Sequence, residues 1–326
     1  MTVTDELRHV VRSYLSGRPG APWQAFAGEL GVAGLAVPEE YGGAGGGPAE
    51  VAAVAEELGR ALSPYPFLQT AVLAVEAVKA GGDEEAMARL LPVLAGGGRS
   101  ATVALPGDGD LDLADGLLSG TVPYALAGDL VLVYAGGMLV EAEPTRRVRH
   151  RTMDESRPLE ELTFDRVPAR RAGDGSGWAR VRDLSVAALA AEQTGGAASC
   201  LETATAYAKE RHQFGRPIGS FQAVKHKLAD LLLLVESARS AALGAAGAEK
   251  AEGAEGAELE EAAAIAGSYC SEAYLTAAGE NIQIHGGIGV TLEHPAHRYF
   301  KRATSDAQLF GPPQAHRARL AARVLG

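Results

Sequence analysis

At 326 residues, with 47% hydrophobic and 22% charged side chains, the chain has the composition of an ordinary soluble globular protein and the length for two or three subdomains. Its formal net charge of -11 at pH 7 excludes a general nucleic-acid or anionic-membrane binder, because both need basic surface. The two cysteines, Cys200 and Cys270, form neither a metal-spaced set nor a disulfide framework.

The start, Met1 to Arg8, lacks the basic opening and apolar core of a signal peptide, and no apolar run approaches the roughly 20 residues that span a bilayer. A cytoplasmic protein without a membrane partner is expected, and the heavy Ala, Gly and Arg usage points to a GC-rich bacterial source. Residues 1–100 read as helical. Trp23–Leu30 and Ala49–Leu62 carry apolar residues at helical spacing, and Val37–Gly47 between them is too rich in glycine to continue a helix. Asp83 is placed as the N-cap of a short helix ending near Leu94 and Gly96.

From Ala101 the period changes. Ala101–Leu105, Leu130–Tyr134, Met138–Glu141 and Leu162–Phe164 are short β-branched or aromatic runs separated by Gly, Asp and Pro, which predicts strands ending at a flexible Gly173–Gly177 turn. Long helices follow. Val181–Lys209 is rich in alanine, and its Gly195-Gly196 pair suits close approach of a neighbouring backbone. Phe221, Val224, Leu228, Leu231, Leu232, Val235 and Ala242 form the apolar stripe of a bundle helix. Gly244–Glu260 reads as a polar, low-complexity extension or hairpin tip, with Ala262–Ile284 and Glu293–Leu325 as the remaining helices. Cys200 and Cys270 sit in alanine-rich helical patterns and read as buried small hydrophobes. The expected division is 1–100 helical, 101–177 β, and 178–326 helical.

The densest chemistry lies in Lys209–Asp230, where Gly215, Pro217 and Gly219 mark a turn between helices. Arg211, Gln213, Phe214 and Gln222 put a cation, two amides and an aromatic ring there. A guanidinium can fork onto a diphosphate as lysine cannot; the plainer reading of Arg211 is a cation facing a helix C-terminus. Gln283, Gly286, Gly287 and Gly289 at a helix end read either as a cap or as bare backbone for a ligand to press against. His285 among them reads as a packing or hydrogen-bonding residue.

Four words in order carry a family resemblance: Gly34-Leu-Ala-Val-Pro-Glu-Glu-Tyr-Gly-Gly43, Ala55-Glu-Glu-Leu-Gly-Arg-Ala61, Tyr207-Ala-Lys-Glu-Arg-His-Gln-Phe-Gly-Arg-Pro-Ile218 and Gln283-Ile-His-Gly-Gly-Ile-Gly289. Over nearly its whole length the chain resembles the acyl-CoA dehydrogenases. The resemblance implies a mainly α fold with a small central β-domain: an N-terminal helical domain, a shortened β-barrel-like domain and a C-terminal four-helix bundle. It implies FAD shared across a subunit interface. Arg211, Gln213, Phe214 and Gln222 would grip its pyrophosphate and adenine end, Gln283, Gly286 and Gly287 would reach it from the neighbouring subunit, and Gln314 would add a flavin or adenine contact.

The other half of the family's site is altered. Ala104–Pro106 and Tyr124–Leu126 stand for its Thr-Glu-Pro-like and Trp-Ile-Thr-like strands, with Leu126 replacing the Thr that would hydrogen-bond the flavin ring. Phe310 stands where most members carry the catalytic Glu, and Ser185 where others do; neither can act as the base. Glu192 and Asp306 nearby are candidate substitutes, but no residue is assigned a catalytic role and none a metal. The chain thus resembles the non-catalytic β-type subunits of bacterial α2β2 acyl-CoA dehydrogenases. A homologous α-type chain would then supply the ring face and the Glu that desaturates an acyl-CoA thioester, of lipid or steroid origin. Two other readings stay open: a homo-oligomer recruited for non-redox chemistry on a thioester-type substrate, using Glu192, His285 or Asp306, and a structural scaffold.

Overall fold

Thr2 opens the first helix with a capping box: its hydroxyl accepts from the Asp5 amide at 3.2 Å, and the Asp5 carboxylate accepts from the Thr2 amide at 2.9 Å. The computed structural model describes residues 2–248 and 257–325. Helix α1 (Val3–Gly17) is followed by α2 (Trp23–Leu30) and α3 (Pro48–Arg60), then by a π-helical segment, Leu68–Ala74, that runs into α4 (Val75–Gly81) and α5 (Glu84–Ala95). Asp83 caps α5 as expected, its carboxylate accepting from the Ala86 amide at 2.9 Å.

One sheet follows, of seven strands: β1 (Ala101–Ala104), β2 (Asp110–Ala114), β3 (Leu117–Leu126), β4 (Leu130–Ala135), β5 (Met138–Ala142), β6 (Arg146–Arg149) and β7 (Leu159–Asp174). The order is β1-β4-β5-β7-β3-β2, with β6 also on β7, and only the β1–β4 pair is parallel. The long β7 is the spine. It pairs with β3 over Leu159–Pro168, with β6 over Glu160–Thr163 and with β5 over Ala169–Asp174. Alternate residues of β3, β4 and β7, including Leu118, Val122, Val131, Val133, Leu162 and Phe164, fill the sheet's core.

The apolar runs marked four strands; the structure adds β2, β3 and β6. Strand β2 is an exposed edge carrying Asp110 and Asp112, β3 is interrupted by Gly120 and Pro123, and β6 is three-quarters arginine. None reads as an apolar strand, and charge on edge strands opposes unwanted pairing. Leu162–Phe164 lies in the first half of a 16-residue strand, and Gly173 belongs to that strand, not to the expected turn.

The chain divides into two compact units, Met1–Val54 with Pro64–Ser185, and Ala55–Ser63 with Val186–Gly326. The second holds most of α6 (Trp178–Glu210), the two-residue strands β8 (His212–Gln213) and β9 (Arg216–Pro217), α7 (Gln222–Gly247), α8 (Ala257–His285), α9 (Ala296–Asp306) and α10 (Pro313–Leu325). Its core is unusually small-chained, with Ala197, Ala198, Cys200, Ala277 and Ala303 packed around Leu231, Val235 and Tyr274. The Gly195-Gly196 pair does what was expected of it: an added Cβ on Gly195 would stand 1.8 Å from the Glu56 carbonyl oxygen, and one on Gly196 2.4 Å from the Tyr274 ring.

Along α7, Leu231, Val235 and Ala242 of the expected stripe are buried, but Leu232 is half exposed. Glu293–Leu325 is two helices, because Phe310 and Gly311 turn left-handed between α9 and α10. Of the low-complexity stretch, α7 takes in Gly244–Gly247 and α8 begins at Ala257; residues 249–256 lie outside the described ones. Both cysteines are buried, and burial pushes the Cys270 thiol up to about 12. Among the described residues no helix is long and apolar enough to cross a membrane, and no group of three His, Cys, Asp or Glu could hold a metal ion.

Candidate functional site

Where α6 ends, β8 and β9 pair His212 with Pro217 and Gln213 with Arg216, leaving Phe214 and Gly215 at the tip. Both have positive φ, 53° and 75°, as a tight two-residue hairpin requires. A phenylalanine in that conformation is strained, and such strain persists only where neighbours fix the backbone. They do so here: the Ile218 amide donates to the Arg211 carbonyl at 2.7 Å, and the Arg211 amide to the Tyr207 carbonyl at 2.8 Å. The Phe214 ring is 92% exposed. It meets Phe221 edge-on at 6.1 Å, and the Arg216 guanidinium lies 4.1 Å over the Phe221 ring.

This hairpin walls a groove of about 350 Å³ in which Gln213 and Phe214 meet Gln283 from α8. Three of the eight residues named from sequence therefore converge. Arg211 and Gln222 are exposed at the ends of the same turn but do not line the groove. Gly286 and Gly287 are also exposed, and an added Cβ on either would meet nothing within 4 Å, leaving their backbone open to a ligand. Gln314 is exposed in the first turn of α10.

Sequence reasoning missed the apolar walls, Ile218, Phe221, Val224 and Ile284, and one cation, Lys227. Lys227 lies one helical turn after Ala223 and shares its face, which is the signal that could have found it. Its ammonium donates to both Glu280 carboxylate oxygens, at 2.6 and 2.7 Å.

The positions to which the resemblance assigns proton and ring chemistry look different. Ser185 is fully buried, its hydroxyl donating to the Val181 carbonyl at 2.9 Å. Phe310, half-buried, has φ 57°. Leu105 and Leu126 are buried, while an irregularity in β3 between Val122 and Ala125 turns Tyr124 outward, 69% exposed. Tyr124 stacks at 5.1 Å on His150, a residue not singled out from sequence, whose Nε2 lies 2.6 Å from the Pro123 carbonyl oxygen.

Glu192 is engaged by Arg302. One guanidinium nitrogen donates to Glu192 Oε1 at 2.6 Å and another to the Ser63 carbonyl at 3.2 Å, all of it buried. Asp306 is buried too, and His285 is a packing residue, its Nδ1 2.7 Å from the Asn281 carbonyl oxygen.

Residues 3–98 match the acyl-CoA dehydrogenase N-terminal domain, and residues 176–325 the acyl-CoA dehydrogenase C-terminal domain. Over 304 residues the chain is 40% identical to the acyl-CoA dehydrogenase IpdE2 of Mycobacterium tuberculosis, covering 93% of this chain and 86% of that one. The chain belongs to the acyl-CoA dehydrogenase family. Among solved structures it is similar to the Tcur3481-Tcur3483 steroid ACAD, with a TM-score of 0.87, 30% identity, and coverage of 99% of this chain and 97% of that one. It is also similar to a chain of the ChsE4-ChsE5 complex from Mycobacterium tuberculosis, with a TM-score of 0.88, 25% identity, and coverage of 100% and 98%. The fold is the expected acyl-CoA dehydrogenase fold, with N-terminal helices, a small central β-domain and a C-terminal helical domain.

Proposed function

We propose that this chain is a β-type subunit of a heteromeric acyl-CoA dehydrogenase. It would complete an FAD site whose ring face and catalytic Glu belong to a homologous α-type chain in an α2β2 assembly. One contrast carries the reading: Gln213, Phe214 and Gln283 converge on an exposed groove, while Phe310 and Ser185, neither able to act as a base, stand where the resemblance puts the family's base.

The tail of FAD fits the residues present. The groove offers an exposed ring on which adenine can stack, amides for its edge, a cation, and bare backbone at Gly286 and Gly287. Arg211 is the residue suited to fork onto the diphosphate, with Gln222 beside it and Gln314 as a further contact. The ring end does not fit, since Leu126 offers no hydroxyl and Tyr124 faces solvent. Bound FAD supplies the hydride acceptor for α,β-desaturation of the acyl-CoA thioester; the residues of this chain hold and orient its adenosine diphosphate half.

The two-component names of the ChsE4-ChsE5 complex and of the Tcur3481-Tcur3483 steroid ACAD support a partner chain, and the latter supports a steroid-derived acyl group. A cytoplasmic location and a working division at 1–100, 101–177 and 178–326 complete the proposal. The test is expression alone and together with a homologous α-type chain. Yellow protein and acyl-CoA oxidation are expected from the pair. A chain that is yellow and active by itself would sink the reading.

A further inference from the structure

We propose that His294 makes the segment leaving the groove, residues 286–295, sensitive to pH, so that the groove is firm at neutral pH and slack in acid. This rests on the reading of the groove as a nucleotide-tail site. The segment begins just after Gln283 and carries Gly286 and Gly287.

Three rings stack beneath it in a column. Tyr207 of α6 lies 4.3 Å from His285, the last residue of α8, and His285 lies 4.1 Å from His294. His294 Nδ1 accepts from the Ala296 amide at 3.2 Å, the first N–H of α9 and one with no partner inside the helix. An accepting Nδ1 carries a lone pair, so this geometry belongs to the neutral imidazole.

The imidazoles contributed by α8 and α9 oppose a proton on His294. From α8 comes His285, whose Nδ1 lies 2.7 Å from the Asn281 carbonyl oxygen. From α9 come His297, whose Nδ1 lies 2.7 Å from the His294 carbonyl, and the positive end of the helix itself. Tyr207 from α6 is neutral. Partial burial first, then His285 and His297, hold its pKa below the usual histidine value.

The sign follows. Above the ordinary histidine pKa of about 6.5 the closed segment keeps its full stability. As pH falls below that value, the opened segment takes up a proton that the closed one refuses. Closure then weakens by as much as about tenfold per pH unit until the depressed pKa is reached. Opening frees the chain immediately after Gln283, and with it the backbone at Gly286 and Gly287 that the nucleotide would touch.

Hydrogen exchange of the full chain at pH 7.5 and 5.5, corrected for intrinsic chemistry, reads this directly. The expected result is a loss of protection of up to about tenfold over residues 286–297 in the wild type, and little in His294→Gln, whose amide oxygen can still accept from Ala296. Equal pH sensitivity in the two proteins overturns the proposal. If His294→Gln does not fold, NMR titration of wild-type His294 decides: a pKa at or above 6.5 overturns the proposal, and a lower one supports it. ADP serves as the binding probe. It should bind more weakly, by up to about tenfold, at pH 5.5 than at 7.5 in the wild type alone. ADP that binds at neither pH removes the nucleotide reading of the groove and leaves exchange to decide the switch.

Discussion

Phe214 and Phe310 invite comparison, because both are phenylalanines held in left-handed backbone just before a left-handed glycine. Their surroundings differ. Phe214 projects into solvent at the tip of a hairpin, its ring unburied by anything in its own chain. Phe310 is half-buried and closes the turn between α9, which the buried Arg302 fastens to Glu192, and α10. Strained backbone that displays a large apolar ring to water does nothing for the folded chain itself, and points to a contact outside it. The same strain at a half-buried ring between two packed helices is part of the packing.

Substitutions can break or sharpen that contrast. The largest expected effect is on the Phe310 side: Arg302→Ala removes the buried guanidinium that donates to Glu192 Oε1 and should cost roughly 3–5 kcal/mol in urea unfolding. On the Phe214 side, Arg211→Lys should leave the unfolding midpoint unchanged and lower FAD retained by the two-chain assembly about tenfold, because the planar fork is lost. Phe214→Ala should weaken FAD retention by about 1–3 kcal/mol of stacking, again at wild-type stability. Destabilisation by either of these two substitutions would erase the distinction.

A smaller effect concerns the core behind both. With its thiol pushed up to about 12 by burial, Cys270 carries almost no thiolate at pH 8, so thiol reagents should label it only on unfolding. The smallest expected change is Phe310→Glu. Placing a carboxylate there, in a chain whose residue 126 is a leucine and offers no hydroxyl, should give no measurable acyl-CoA oxidation by that chain alone.

The helical parts were legible because their signals are local. Asp83 sits where a cap belongs, and Leu231, Val235 and Ala242 repeat at the period of one buried face. The groove was legible as chemistry, since Gln213, Phe214 and Gln283 stand out by type, but its walls and Lys227 depend on which helix faces meet. The β-domain was half hidden. Strand β3 becomes a strand through its pairing with β7, more than forty residues away at Leu118–Val167, and not through its own composition. One local signal was available: Asp115 and Gly116, both left-handed, form the two-residue turn that joins β2 to β3. His150 was beyond reach, because only the irregularity in β3 brings Tyr124 and Pro123 to it.

The position of β7 as spine has a consequence for synthesis. Strands β3 and β5 pair with a strand that is the last of the sheet to be made, and β3 is complete roughly 50 residues before β7 ends. At about 5–20 residues per second, a nascent chain on the ribosome holds those open edges for several seconds. During that interval Asp110 and Asp112 on β2 and the arginines of β6 are the groups that keep it from pairing with its neighbours on the polysome.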